Sequence, residues 1–164
     1  MNFLVDPPEI IHHNAALDDE QIRVTAAFVD ELLELGVVST LEEGYDIVTT
    51  APMFCVPKEG QEGEWRVIAD MLRGGQNSCI GNDPVFLPRP AHILEGLYGH
   101  RFSAVVAASK FFYQFKTHPD DRRFLGLLHP VTNILYAYFG LPMGGANSPS
   151  LAGRYGLSLA LDSI

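Results

Sequence analysis

Residues 101–147 read RFSAVVAASKFFYQFKTHPDDRRFLGLLHPVTNILYAYFGLPMGGAN. Phe102 to Val106 is short, apolar and β-branched at its end, and Gly99 bounds it, which predicts a buried strand rather than a helix. Ser109 to Tyr113 is expected to turn as a helical segment. Two β-rich runs, Phe124 to Leu128 and Ile134 to Phe139, flank HPVTN, where Pro130 and Asn133 suit a hairpin turn. Asn147 or Ser148 then caps a helix with Pro149 in its first position, where the missing N–H costs nothing, and with Leu151, Tyr155 and Leu159 as its stripe. Such an arrangement predicts an α+β fold, a small antiparallel sheet with helices packed on one face.

The upstream sequence reads as an approach to this stretch. Residues 1–17 contain prolines and no period, so they are expected to form an extended arm. Asp18 is an N-cap with Gln21 in capping-box position, and Ile22, Ala26, Val29 and Leu33 supply a helical stripe that Gly36 ends. Met53 to Val56 and Trp65 to Ala69 are β-rich, and the polar, Gly-bearing connection from Lys58 to Glu64 makes an antiparallel hairpin with an exposed tip. Pro52 and Pro57 suit strand ends. The Gly-, Asn- and Pro-dense segment from Met71 is expected to wrap the surface, and a short helix from Pro90 carries Ile93, Leu94, Leu97 and Tyr98 on one face.

Composition narrows the function classes. A chain of 164 residues makes one domain large enough to bury its own core. Eleven Lys and Arg against twenty Asp and Glu give a net charge of −9, which opposes tight general binding to nucleic acid, where affinity comes from neutralised phosphates. Most basic side chains follow Arg66, so a local basic groove is still compatible with the acidic total. Cys55 and Cys79 are too few for a zinc site or a disulfide framework and read as buried free thiols, and no metal site is built from Cys and His. The absence of a signal-peptide pattern and of a long apolar run predicts an intracellular protein, cytoplasmic or nuclear, with no membrane partner.

The order of motifs resembles the fingers and N-terminal palm of retroelement reverse transcriptases. The resemblance rests on F-x-V-P-K at Phe54 to Lys58, Trp65 with Arg66, Asp70, L-P-R-P at Leu87 to Pro90, and Phe102 with Ser103. It continues through the Ser109 to Gln114 run, P-D-D-R at Pro119 to Arg122, F-G-L-P-M-G at Phe139 to Gly144, and N-S-P at Asn147 to Pro149. It implies a single fingers/palm-like domain over residues 18–164, with fingers over about 37–90 and the palm part over about 91–164. Lys58 and Arg66 would sit on the fingers hairpin and close over an incoming triphosphate, since an ammonium and a forked guanidinium neutralise phosphate charge. Two solvated surface cations are the plainer reading. Phe112 falls at the aromatic under the nucleotide sugar, with Phe111, Tyr113 and Phe115 competing for that place. Met143 and Gly144 would form the loop whose backbone approaches template and nucleotide, glycine being needed where a Cβ would block the approach.

Ala107 departs from the pattern. Seven residues before Gln114 the resemblance requires the first metal-binding aspartate, and polymerases use carboxylates to hold the Mg²⁺ ions that activate the primer hydroxyl. A methyl group cannot ligate a metal. The paired aspartates of a later palm hairpin are also not found, Asp162 being a lone acid. Asp120 and Asp121 beside Arg122 and Arg123 read as surface ion pairs or helix caps. The expectation is a truncated reverse-transcriptase-like domain, catalytically inactive and without bound Mg²⁺, that keeps a weak surface for RNA or DNA template-primer and dNTP. The alternative is a non-catalytic protein-interaction module, with a protein partner or another copy of itself, since uncovered sheet edge and apolar surface are normally buried by association.

Overall fold

A computed structural model describes the chain except residues 2, 82, 83, 85–88, 103–107 and 162–164, and the side chains of 155–161. Of the expected buried strand Phe102 to Val106 only Phe102 is described, and it is 91% exposed and in no strand. The rest of that strand, Ala107, Leu87 and Pro88 of the L-P-R-P motif, Asp162, and the Tyr155 and Leu159 side chains lie outside the described residues.

Helix α1, Asp19–Glu34, begins as its cap requires. The Gln21 amide donates to the Asp18 carboxylate at 2.8 Å and the Asp18 amide donates to the Gln21 side chain at 3.2 Å. It ends at Gly36, whose φ of 62° is left-handed. The wholly buried line is Thr25, Val29 and Leu32, not the expected Ile22, Ala26, Val29 and Leu33. Thr25 can face inward because its hydroxyl has a partner, the Cys55 thiol at 3.3 Å. Cys55 and Cys79 are free as expected, but half-buried.

Strand β1, Val38–Ser39, follows the helix, and β2, Met53–Pro57, pairs with β3, Trp65–Ala69, in the predicted hairpin. After helix α2, Gln76–Cys79, and helix α3, Pro90–Leu97, come two 3₁₀ turns, Phe111–Gln114 and Pro119–Phe124. Strands β4, Gly126–Leu128, and β5, Leu135–Tyr138, form the second hairpin, with Asn133 at φ 56° in its turn. Helix α4, Ser148–Leu161, closes the order.

The strands divide into two antiparallel sheets, β1-β5-β4 and β2-β3. Thr50 makes a parallel bridge to Gly126, and the Ala51 amide donates to the Gly126 carbonyl at 2.8 Å. Pro52 follows with no N–H to give, so the ladder stops there and β2 turns to its own partner. Between the sheets and α1 lies the core, including Val29, Leu32, Val38, Met53, Leu127 and Tyr138.

The first residues are extended but not free. The Leu4 amide donates to the Cys79 carbonyl at 2.8 Å, and the Asn14 side chain accepts from the Met53 amide at 3.0 Å while donating to the Leu128 carbonyl at 2.9 Å. Helix α3 also differs from expectation. It forms where Pro90 and Gly99 delimit it, yet Ile93, Leu94, Leu97 and Tyr98 are all exposed, Tyr98 at 90%. Among the described residues no helix is long and apolar enough to cross a membrane.

Candidate nucleotide-facing cavity

Register decides where the hairpin cations sit. Val56 pairs with Arg66 and Pro57 with Trp65, so Lys58 and Arg66 emerge at the tip end of β2 and β3. A cavity of about 680 Å³ opens beside them. Its walls come from three places: α1 through Phe28 and Glu31, the hairpin through Lys58, Trp65, Arg66 and Ala69, and the later chain through Tyr113, Tyr138, Met143 and Gly144. Four of the predicted binding residues, Lys58, Arg66, Met143 and Gly144, thus share one hollow although 86 residues of sequence separate the first from the last.

Their states differ. The Lys58 ammonium pairs across the hairpin with Glu64 at 2.7 Å, both side chains being well exposed, so the pair is weak and exchangeable. Arg66 is exposed and forms no ion pair among the described residues. Trp65, the single tryptophan, buries an indole N–H that has no acceptor among the described residues. Met143 is 61% exposed.

Phe112 is not part of the wall. It is half-buried and meets Phe111 edge-on, with ring centroids 6.4 Å apart. Tyr113 lines the cavity instead, because a 3₁₀ turn rotates successive side chains by about a third of a circle. Burial first, and the Glu31 carboxylate second, push its hydroxyl up to about 12. Tyr138, wholly buried, is raised for the same leading reason. Glu31 forms an ion pair with Lys110 at the edge of this group.

Gly144 makes a close approach to the protein itself. A Cβ there would meet the Ala69 carbonyl oxygen at 2.6 Å, at the end of β3. The loop is held from the segment expected to wrap the surface. Asn77 donates to the Gly144 carbonyl at 2.9 Å and accepts from the Ala146 amide at 2.8 Å. The only signal was an Asn in a Gly-rich segment, which does not say where its amide reaches.

The acids near the second 3₁₀ turn are paired with groups other than a metal site. Asp120 lies 3.5 Å from His118, and Asp121 pairs with the Met1 amine at 2.5 Å. Among the described residues no cluster of three His, Cys, Asp or Glu side chains has the arrangement of a metal site. Ala107 lies outside the described residues, but its side chain has no donor atom. Among the described residues, then, no donor set fits the paired Mg²⁺ ions of a polymerase centre.

No protein-family model matches the chain. It is 24% identical over 145 residues to the Gag-Pro-Pol polyprotein of Mason-Pfizer monkey virus, and 26% identical over 145 residues to that of Simian retrovirus SRV-2. Each alignment covers 85% of this chain, which spans 8% of the length of those relatives. Two structures of the Prototype Foamy Virus protease-reverse transcriptase superpose with TM-scores of 0.76 and 0.74 at 20% and 19% identity. They cover 98% and 99% of this chain, which spans 20% and 21% of theirs. The chain has a partial reverse-transcriptase-like fold.

Proposed function

We propose that this chain is a reverse-transcriptase-like domain that no longer polymerises and that keeps a nucleotide- and template-facing cavity. The reading rests chiefly on the convergence of Lys58, Arg66, Met143 and Gly144 on one hollow. Residues 18–164 act as one fingers/palm-like unit, with the division near residue 90, inside the cell in the cytoplasm or nucleus. Lys58, released from Glu64, and Arg66 bind the phosphates of a dNTP, and the aromatic wall takes its apolar portion. Tyr113, which lines the cavity where the expected Phe112 does not, limits the space at the sugar. Ala107 removes a metal ligand, so the positioned phosphates meet no activating ion and no Mg²⁺ is held.

Trp65 lines the cavity and is the only tryptophan, so its fluorescence reports binding directly. Titration with dTTP is expected to change that fluorescence saturably. Primer extension with Mg²⁺ is expected to give no product, and incorporation by the purified chain would overturn the inactive reading.

A second reading is favoured by α3. Ile93, Leu94 and Leu97 are 50%, 68% and 44% exposed, and Tyr98 and Phe102 are about nine-tenths exposed, which makes an apolar ridge suited to a protein partner or another copy. Light scattering at low and high salt separates the two. A stable, salt-insensitive complex supports an interaction module, whereas salt-sensitive binding of a template-primer duplex supports the first reading.

A further inference from the structure

A second cavity, of about 480 Å³, lies away from the first, between the chain after β1 and the 3₁₀ turn Pro119–Phe124. Its size is within the range of small-molecule sites. Leu41, Tyr45, Phe124 and Phe139 give it apolar walls, and Arg122 is a half-buried cation among them. The Arg122 guanidinium stacks on the Phe139 ring at 4.1 Å from its centroid. One of its terminal nitrogens donates to the Thr117 carbonyl at 3.3 Å, and its Nε is buried with no acceptor among the described residues. Among the described residues no carboxylate lies within ion-pair distance of it.

That arrangement is costly without a further partner. A guanidinium taken partly out of water loses hydration, and one long bond to a neutral carbonyl plus a ring face replaces little of it. Its neighbour Arg123 is different: exposed, and already 3.5 Å from Glu9. Asp6, Glu42 and Asp120 also line the opening, all of them exposed. Rim carboxylates in water act weakly on a single inner anion but repel a multiply charged one more strongly.

We infer that this cavity binds a monocarboxylate carried on a compact apolar body, the carboxylate meeting Arg122 and the body lying against Tyr45, Leu41 and Phe124. The charge of the ligand balances the uncompensated guanidinium, and its apolar body replaces water along the walls. The acidic rim disfavours phosphates, so this site and the hairpin cavity select different anions.

Phenylacetate is a suitable probe, with benzyl alcohol as the same body without charge and inorganic phosphate as charge without the body. In amide NMR of the full chain, phenylacetate is expected to shift signals of residues 41–45 and 119–124 saturably, and to leave those of Lys58, Arg66 and Gly144 in place. Benzyl alcohol and phosphate are expected to bind at least about tenfold more weakly, as is phenylacetate to Arg122→Gln, since the charge-assisted pair is then missing. Tyr45 is 67% exposed, so Tyr45→Ala should keep the melting temperature while weakening phenylacetate about threefold through lost apolar contact. That variant keeps the test decisive if Arg122→Gln does not fold. No saturation by about 10 mM, the weak limit of specific small-ligand binding, overturns the proposal. So do equal binding of phosphate, shifts confined to the hairpin cavity, and an unchanged affinity in Tyr45→Ala. Because the two cavities report on different amides, failure here leaves the nucleotide reading standing, and the reverse.

Discussion

The side-chain amide of Asn77 holds the loop at Gly144 with both its ends, donating to the Gly144 carbonyl at 2.9 Å and accepting from the Ala146 amide at 2.8 Å. The two residues lie 67 apart in the chain, so this clamp fixes one lip of the hairpin cavity from a segment outside it. Asn77→Ala removes two hydrogen bonds of about 0.5–1.5 kcal/mol each, for a loss of roughly 1–3 kcal/mol in stability. Chemical denaturation measures that loss. Asn77→Asp, which can still accept from Ala146 but cannot donate to Gly144, should fall between wild type and Ala.

Gly144 is expected to tolerate no side chain. A Cβ at 2.6 Å from the Ala69 oxygen meets backbone at the end of β3, so relief requires the loop or the strand to move. Gly144→Ala should cost about 1–3 kcal/mol, the usual range for forced overpacking. An unchanged denaturation midpoint would show that the loop shifts freely.

Glu64 competes for Lys58. If phosphates bind at the hairpin, Glu64→Gln frees the ammonium and should raise dTTP affinity about two- to fivefold, the scale of an exposed ion pair, with stability changed by less than about 0.5 kcal/mol. Arg66→Ala should lower it, and the wild-type affinity should fall with added salt. Fluorescence titration of Trp65 reads each case. Equal affinity in all three proteins would remove the hairpin from the site.

Tyr113 gives stability an alkaline limit. Its folded hydroxyl ionises near 12, above the ordinary 10.0, because burial and then Glu31 disfavour the phenolate. The raised value means that the native state holds its proton where the unfolded chain has lost it. The contribution is therefore complete below pH 10 and is lost as pH rises toward 12. Tyr113→Phe should flatten the fall in stability across that window while leaving the acid side unchanged, as pH-dependent denaturation would detect.

Much of the local structure was legible in the residues. Asp18 with Gln21 and Gly36 delimit α1, and Pro90 with Gly99 delimit α3, because caps and breakers act over a single turn. Both hairpins follow from β-rich runs around turn residues. Of the expected α1 stripe only Val29 is wholly buried, because Thr25 becomes an inside residue only once Cys55 is opposite it.

What the sequence by itself determined was the order of elements, the place of the hairpin cations and an alanine at position 107, all properties of residue type and near neighbours. Tertiary structure decided which of these meet. It put Lys58, Arg66, Met143 and Gly144 on one cavity, turned Tyr113 rather than Phe112 toward it, set Asn77 on the loop, and left Arg122 half-buried on Phe139. Those outcomes depend on contacts between segments tens of residues apart, whose geometry is fixed only when sheets and helix pack together.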